Sequence, residues 1–231
     1  MINQNDNYLD NHFIHKSNWL RAAVLGANDG ILSTSSLAIG IAAASEFREP
    51  IVLATLAGLV AGSLSMAAGE YVSVSSQTDV EHADIEREKK ELAEMPDEEL
   101  QRLATIYEER GLKKETALLV AKELTAHDAL GAHIRDELGI NEISQANPLQ
   151  AALASGVAFT VGGILPLLVT LFLPVHNMEY YLYGLAILFL GFLGALAAKT
   201  GGSSIVKAII RVTFWGTIAM VLSALVGYIF G

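Results

Sequence analysis

The sequence predicts an all-α integral membrane protein: five transmembrane helices, with a three-helix soluble segment inserted between the second and third. Three observations predict it. Only 17% of the 231 residues are charged while 52% are hydrophobic, against about 25% charge in a soluble domain. Five windows are long and apolar enough for the roughly 20-residue crossing of a bilayer. The charge is also concentrated: residues 77–148 hold 18 of the 25 acidic side chains and nine of the 15 basic ones. The remaining chain keeps too few charges to dissolve by itself.

In chain order, residues 1–18 form a polar tail without the basic-then-apolar pattern of a cleaved signal. Residues 19–76 hold the first two spans. One runs from about Arg21 to Ala44 with Asp29 as its only interior charge; the other begins at Ile51, after Pro50, and stays apolar to Gly69. Residues 77–147 form the soluble insert. Residues 148–231 hold the third span (about Leu149 to Leu173), the fourth (Tyr180 to Ala198) and the fifth (Val206 to Phe230). Gly58, Gly62, Gly162, Gly163, Gly191 and Gly194 supply small residues for close helix contact. Pro166 after Gly162-Gly163 suggests a kink.

Lys and Arg collect on the cytoplasmic side of membrane proteins. Lys16 and Arg21 precede the first span, and Lys199, Lys207 and Arg211 flank the fourth-to-fifth loop. SEFREP offers only Arg48, and PVHNMEYY offers none. The N-terminus and the insert are therefore expected in the cytoplasm and the C-terminus outside.

The insert reads as three helices. The first continues the second span through SQTDVEHADIEREKKELAE and ends at Met95-Pro96-Asp97. The second, DEELQRLATIYEER, has acids in its first turn and Gly111 as its stop. The third runs from Leu112 to a stop at Gly139. At 100° per residue, the third helix presents one face of Leu112, Leu119, Val120, Leu130, Ile134 and Leu138, with Glu123, His127 and Glu137 in its middle and His133 at its edge. On the first helix Val74, Ile85 and Leu92 share a face with Glu81 and Glu88, with Asp84 and Glu91 beside them. Glu108 borders the apolar stripe of the short helix. Carboxylates on apolar faces need a cationic partner, because an unpaired buried charge costs several kcal/mol. Two readings stay open. One is a divalent metal, since carboxylates with imidazole and no thiolate suit Fe²⁺ or Mn²⁺ and also Zn²⁺. The other is an acidic, solvated cap with salt bridges at its edges.

Within the spans, Asp29 lies in GANDGILS, where a carboxylate costs on the order of 3 kcal/mol or more and normally faces a pathway or a partner. Burial disfavours its charge and a bound cation restores it, the opposition that proton–cation exchange at one site requires. The plainer reading is a cap for a helix broken near Asn28 and Gly30. Met66 and Glu70 sit one turn apart in SLSMAAGEYVS. On a continuous helix they share a stripe with Gln77, Glu81 and Glu88. A thioether tolerates Fe²⁺ and discriminates against Mg²⁺ or Ca²⁺, although most methionines in membrane helices simply pack, and Glu70 also fits the membrane surface.

Taken together, GANDGILSTSSLAIGIAAA, LVAGSLSMAAGEYVSVSSQ, ELTAHDALGAHIRDELGI and NPLQAALASGVAFTVGGILPLL resemble the vacuolar iron transporter family from Trp19 onward. The resemblance implies export of Fe²⁺, often also Mn²⁺, from the cytosol in exchange for protons, by a five-span homodimer whose pathway lies at the dimer interface. Asp29 and Met66 match its intramembrane aspartate and methionine, with Glu70 next to them in the translocation pathway. The insert becomes a cytoplasmic metal-binding domain whose candidate ligands are Glu81, Asp84, Glu88, Glu91, Glu108, Glu123, His127, His133 and Glu137. Glu88 and Glu91 best match the glutamate pair of the plant members, and His127 and His133 stand where those members use a thioether. The expected partners are the lipid bilayer, a divalent ion, protons and a second copy, with no nucleic acid and no organic cofactor. No phosphate loop, nucleophile–base constellation or dinucleotide fingerprint supports an enzyme. The expected location is a bacterial plasma membrane. The alternative function is a membrane-anchored metal sensor or storage module that moves nothing.

Overall fold

The computed structural model describes residues 18–140 and 147–231; residues 1–17 of the expected N-terminal tail and residues 141–146 lie outside them. Among the described residues every regular element is an α-helix: α1 (Asn18–Ala44), α2 (Arg48–Glu94), α3 (Pro96–Glu109), α4 (Lys114–Asp136), α5 (Pro148–Phe172), α6 (Met178–Thr200) and α7 (Ile205–Phe230). The chain divides into two compact units, residues 1–70 with 149–231, and residues 71–148. The division falls inside α2, which is unbroken for 47 residues, as expected from the lack of a breaker before Pro96.

Among the described residues four helices are long and apolar enough to cross a membrane: α2, α5, α6 and α7. Helix α1 is as long but falls outside this set, because Asn28, Asp29 and the hydroxyl run Ser33–Ser36 lower its hydropathy. Of these polar groups Thr34, Ser35 and Ser36 are buried, Asn28 and Asp29 are half-buried and Ser33 is exposed. The first unit is held together by backbone contact at glycine. A Cβ on Gly30 would collide with the Phe159 carbonyl, one on Gly162 with the Ala27 carbonyl, and one on Gly227 with the Gly40 carbonyl. Helix α1 thus touches α5 and α7 without side chains between, the close approach that small residues permit in membranes. Helix α6 buries a single row four residues apart, Met178, Leu182, Ala186, Leu190, Gly194 and Ala198, against Ile31, Ala38, Ile39 and Met220. Outward-facing Leu53, Leu64, Val161, Phe214, Trp215 and Ile229 are exposed, as lipid-facing residues are. Helix α5 continues through Pro166. Arg48, the lone cation of SEFREP, finds an internal role. Its Nη1 donates to the carbonyls of Thr170 (2.8 Å) and Leu171 (2.6 Å), and its Nη2 to that of Leu173 (2.7 Å). These are carbonyls that the end of α5 leaves without helical partners.

In the second unit Pro96 opens α3 at its first turn, where its missing N–H is no loss. Gly111 and Gly139, expected as stops, both take positive φ (101° and 67°), the left-handed conformation that glycine adopts without strain. The core is small: Leu103, Ala104, Ala121 and Ala132, flanked by Leu100, Tyr107, Leu118 and Leu124.

The expected burial face of α4 is corrected here. Its buried residues are Ala117, Ala121, Ala132 and His133, whereas Leu112 is exposed, Leu119 is 57% exposed, and Glu123 and His127 face solvent. There are two physical reasons. Where α3 and α4 meet, the core is built on Ala104, Ala121 and Ala132 with Leu103, and the α4 leucines Leu118 and Leu124 pack at its edge. Moreover, α4 is not one helix: Asp128 is extended (φ −159°, ψ 88°), and its Oδ1 accepts a hydrogen bond from the Gly131 amide at 2.9 Å. Asp128 is the N-cap of a second segment, whose residues start in a new phase that a single helical projection does not follow.

Candidate functional site

The new phase after Asp128 brings His133 into the interior of the second unit. There its ring meets carboxylates from three elements: Glu88 of α2, Glu99 of the first turn of α3, and Glu137 at the end of α4. One ligand atom from each of these four residues lies within 4.8 Å of all the others. His133 Nδ1 is 2.8 Å from Glu88 Oε1, 2.9 Å from Glu137 Oε2 and 3.8 Å from Glu99 Oε2. A ring nitrogen carries at most one proton, and this one is aligned with Glu137. Glu88 Oε1 therefore has no hydrogen-bond partner despite its proximity, nor do Glu99 Oε1 and His133 Nε2, although Glu88, Glu99 and His133 are fully buried. Buried oxygens left without a donor cost about 1–3 kcal/mol each, so the pocket is short of positive charge.

Burial, and then the neighbouring Glu137, push the Glu88 carboxyl above its ordinary range, and His133 opposite does not reverse this. Burial likewise raises Glu99 against the lowering effect of Arg102. A divalent ion fits this donor set. With octahedral bonds of about 2.1 Å to oxygen and nitrogen, adjacent ligands stand about 3.0 Å apart, close to the two short separations around Nδ1. The frame is fixed from behind. Asp136 accepts hydrogen bonds from Arg110 Nη1 (2.6 Å) and Tyr107 Oη (2.9 Å). Burial pushes its carboxyl up, but these bonds and that from Arg135 outweigh it and hold the group below its usual range.

Of the nine ligands expected in the insert, the structure gathers three in this group: Glu88, His133 and Glu137. Glu91 stands alongside, bound to Arg102 Nη1 at 3.1 Å. Glu81 accepts from Gln77 (3.0 Å), and Asp84 pairs with Arg87 (3.3 Å). Glu108, Glu123 and His127 do not join the group. Helical facing missed two members, Glu99 and Arg102. Their signal was present: Glu99 lies four residues before Leu103, on the row that α3 buries, but an acid in a first helical turn also reads as a partner of the helix dipole.

The membrane unit holds a second feature, a cavity of about 260 Å³ lined by Asp29, Ser33, Thr34, Leu37, Gly58, Gly62, Ser65, Met66 and Phe159. It opens because Gly58 and Gly62 leave no side chain on the α2 face, and a Cβ there would collide with Leu37 or Phe159. Asp29 and Met66, from different helices, line the same space. The Thr34 hydroxyl, 2% exposed, has no hydrogen-bond partner. Carboxylate, hydroxyl and thioether donors in one membrane cavity suit a borderline divalent ion. Glu70 is partly buried and lies outside the lining residues.

The sequence profile of the VIT family matches residues 20–228. The chain belongs to this family. It is 43% identical over 215 residues to a vacuolar iron transporter of Acanthamoeba castellanii, covering 91% of this chain and 78% of that one. It is 34% identical to vacuolar iron transporter homolog 2.1 of Arabidopsis thaliana, covering 91% and 81%, and 34% identical to homolog 5 of Oryza sativa subsp. japonica, covering 89% and 77%. The VIT family is a transporter family, not an enzyme family. These relatives are named for the vacuole, and the expectation of a bacterial plasma membrane draws no support from them.

Proposed function

We propose that this VIT-family protein exports Fe²⁺, with Mn²⁺ as a second cargo, from the cytosol in exchange for protons. The observation that carries the reading is the cavity in which the Asp29 carboxylate and the Met66 thioether stand together. A cation entering it meets one charged oxygen donor, the hydroxyls of Ser33, Thr34 and Ser65, and one soft sulfur. Protonation of Asp29 from the far side removes the charge that holds the ion and releases it. In this reading α1 is a fifth span, with Asp29 and the hydroxyl run as the polar wall of a pathway. Two copies form a homodimer around that pathway, and the Lys/Arg bias sets the N-terminus in the cytosol. The Glu88–Glu99–His133–Glu137 centre collects the ion, and Zn²⁺ fits its donors too.

The test is metal-dependent proton flux in proteoliposomes, run with Fe²⁺, Mn²⁺, Zn²⁺ and Mg²⁺. Flux is expected with Fe²⁺ and Mn²⁺, absent with Mg²⁺, and lost in Asp29→Asn. Unchanged flux in that variant overturns the pathway. Metal binding with no flux for any ion favours a membrane-anchored sensor or store, a reading to which the buried centre alone lends support.

A further inference from the structure

Arg102 is the cation nearest the buried centre, and its position has a specific geometry. Its Nη1 lies 3.1 Å from Glu91 Oε2, 3.1 Å from Glu99 Oε2 and 3.5 Å from Glu137 Oε1. These carboxylates come from α2, α3 and the end of α4. One nitrogen therefore sits among oxygens from three elements, as a bound ion does. The second such point is the ion position that His133 Nδ1 would close as a ligand together with Glu88, Glu99 and Glu137. The two points share Glu99 and Glu137. Glu99 offers its Oε2 to both, whereas Glu137 turns Oε1 to Arg102 and Oε2 to His133. Two carboxylates bridging adjacent cation positions, each completed by further side chains, is the layout of a two-ion carboxylate centre.

We infer that Arg102 permanently fills one of two cation positions in this centre, so that the domain takes one divalent ion per chain where the carboxylate frame is built for two. This rests on the reading of the Glu88–His133–Glu137 group as a metal centre. The charges favour it. Of the four carboxylates Glu88, Glu91, Glu99 and Glu137, three meet Arg102 and one of these, Glu91, also meets Arg87 at 3.8 Å; one divalent ion held by His133 then balances the remaining charge without a second ion. A guanidinium is always charged and its fork is shaped for carboxylate, so it holds Glu91, Glu99 and Glu137 in place when no ion is bound. It cannot leave with a cargo, and the protein thereby gives up capacity for a frame that is set before the ion arrives.

The experiment counts ions. Full-length protein purified in detergent is titrated with Mn²⁺ by equilibrium dialysis, and electron paramagnetic resonance is recorded at saturation. The wild type is expected to bind one Mn²⁺ per chain in this domain, with the spectrum of an isolated ion. Arg102→Gln and Arg102→Ser are each expected to bind one more, with the spectral broadening of two nearby Mn²⁺ ions. Arg102→Lys keeps the wild-type count, and adding Glu91→Gln to Arg102→Gln restores it. To separate the membrane site, all counts are repeated in an Asp29→Asn background. A folded Arg102 variant that keeps the wild-type count, or a wild type that already holds a coupled pair, overturns the inference; the wild-type count applies even where a variant does not fold. No Mn²⁺ at the domain of the wild type overturns instead the metal-centre reading beneath it.

Discussion

The carboxylate of Asp128 accepts a hydrogen bond from the Gly131 amide, 2.9 Å away, in the middle of what the sequence presents as one helix. That bond starts a second helical segment, and the second segment is the one that carries His133 and Glu137. A cap of this kind contributes about 1 kcal/mol. Its larger effect is on phase: without it, residues 129–136 can join the preceding helix in a continuous register that turns His133 away from Glu88. Asp128→Ala is therefore expected to weaken Mn²⁺ binding to the domain about tenfold or more, a difference of about 1.4 kcal/mol. Asp128→Asn, which keeps an oxygen acceptor, is expected to stay near the wild type. Calorimetric titration distinguishes them, and equal affinities for both variants and the wild type would refute the link.

Arg48 ties the start of α2 to the end of α5 through three carbonyls. Hydrogen bonds to a charged group contribute about 1.5–3 kcal/mol each at most, and their sum is less than additive. Arg48→Ala is expected to lower stability by on the order of 3 kcal/mol, seen as a lower unfolding temperature in detergent. Arg48→Lys recovers only part, because an ammonium lacks the planar fork. A full recovery by lysine would mean that charge alone matters there.

Glycines in the membrane helices divide sharply by what faces them. A Cβ on Gly30 meets the Phe159 backbone, which cannot move aside without separating α1 from α5, whereas a Cβ on Gly184 meets nothing within 4 Å. Gly30→Ala is expected to abolish recovery of monodisperse protein. Gly184→Ala is expected to be neutral or slightly stabilising, since alanine is the better helix former by about 1 kcal/mol. Size-exclusion profiles after extraction provide the comparison; a well-behaved Gly30→Ala protein would contradict the packing.

Burial raises the carboxyls of Glu88 and Glu99 above their ordinary values. The sign follows from linkage. Over the pH interval between the unfolded and folded values, the folded chain binds more protons than the unfolded one. The stability associated with these two groups is therefore fully present below the unfolded value and is lost as pH rises through the folded one. The metal-free domain is expected to become less stable as pH rises from about 4.5 upward at these positions. Mn²⁺ reverses the trend, because ligation requires the ionised carboxylates. Glu88→Gln combined with Glu99→Gln removes the slope. Denaturant unfolding monitored by helix-specific circular dichroism across pH, with chelator and with Mn²⁺, measures it. A slope of the opposite sign without metal would refute the assignment.

Much of this chain is legible in its residues. Apolar length placed four helices able to cross a membrane, and Pro96, Gly111 and Gly139 marked the breaks between those of the acidic segment, because a missing N–H or a missing Cβ acts within a few residues. Asp29 and Met66 were visible as misfits, one a charge in an apolar run and the other a soft atom beside it. What periodicity could not supply was any feature that depends on a neighbour. Whether α4 buries leucine or alanine depends on where α3 meets it. Whether it is one helix or two depends on whether Asp128 prefers solvent or the Gly131 amide, and the sequence permits both.

The sequence by itself therefore determined an all-helical chain, its apolar helices, its acidic insert and the residue types available for binding an ion, since these depend on local composition and on periods set by backbone geometry. Only the tertiary structure decided which residues meet. It set Glu88, Glu99, His133 and Glu137 around one point, left Glu123 and His127 in solvent, and put Arg102 among carboxylates from three elements. It also gave Arg48 to the end of α5 and set Asp29 and Met66 on one cavity. Those choices follow from helix phase and from the distance at which helices pack, quantities that a single helix does not carry.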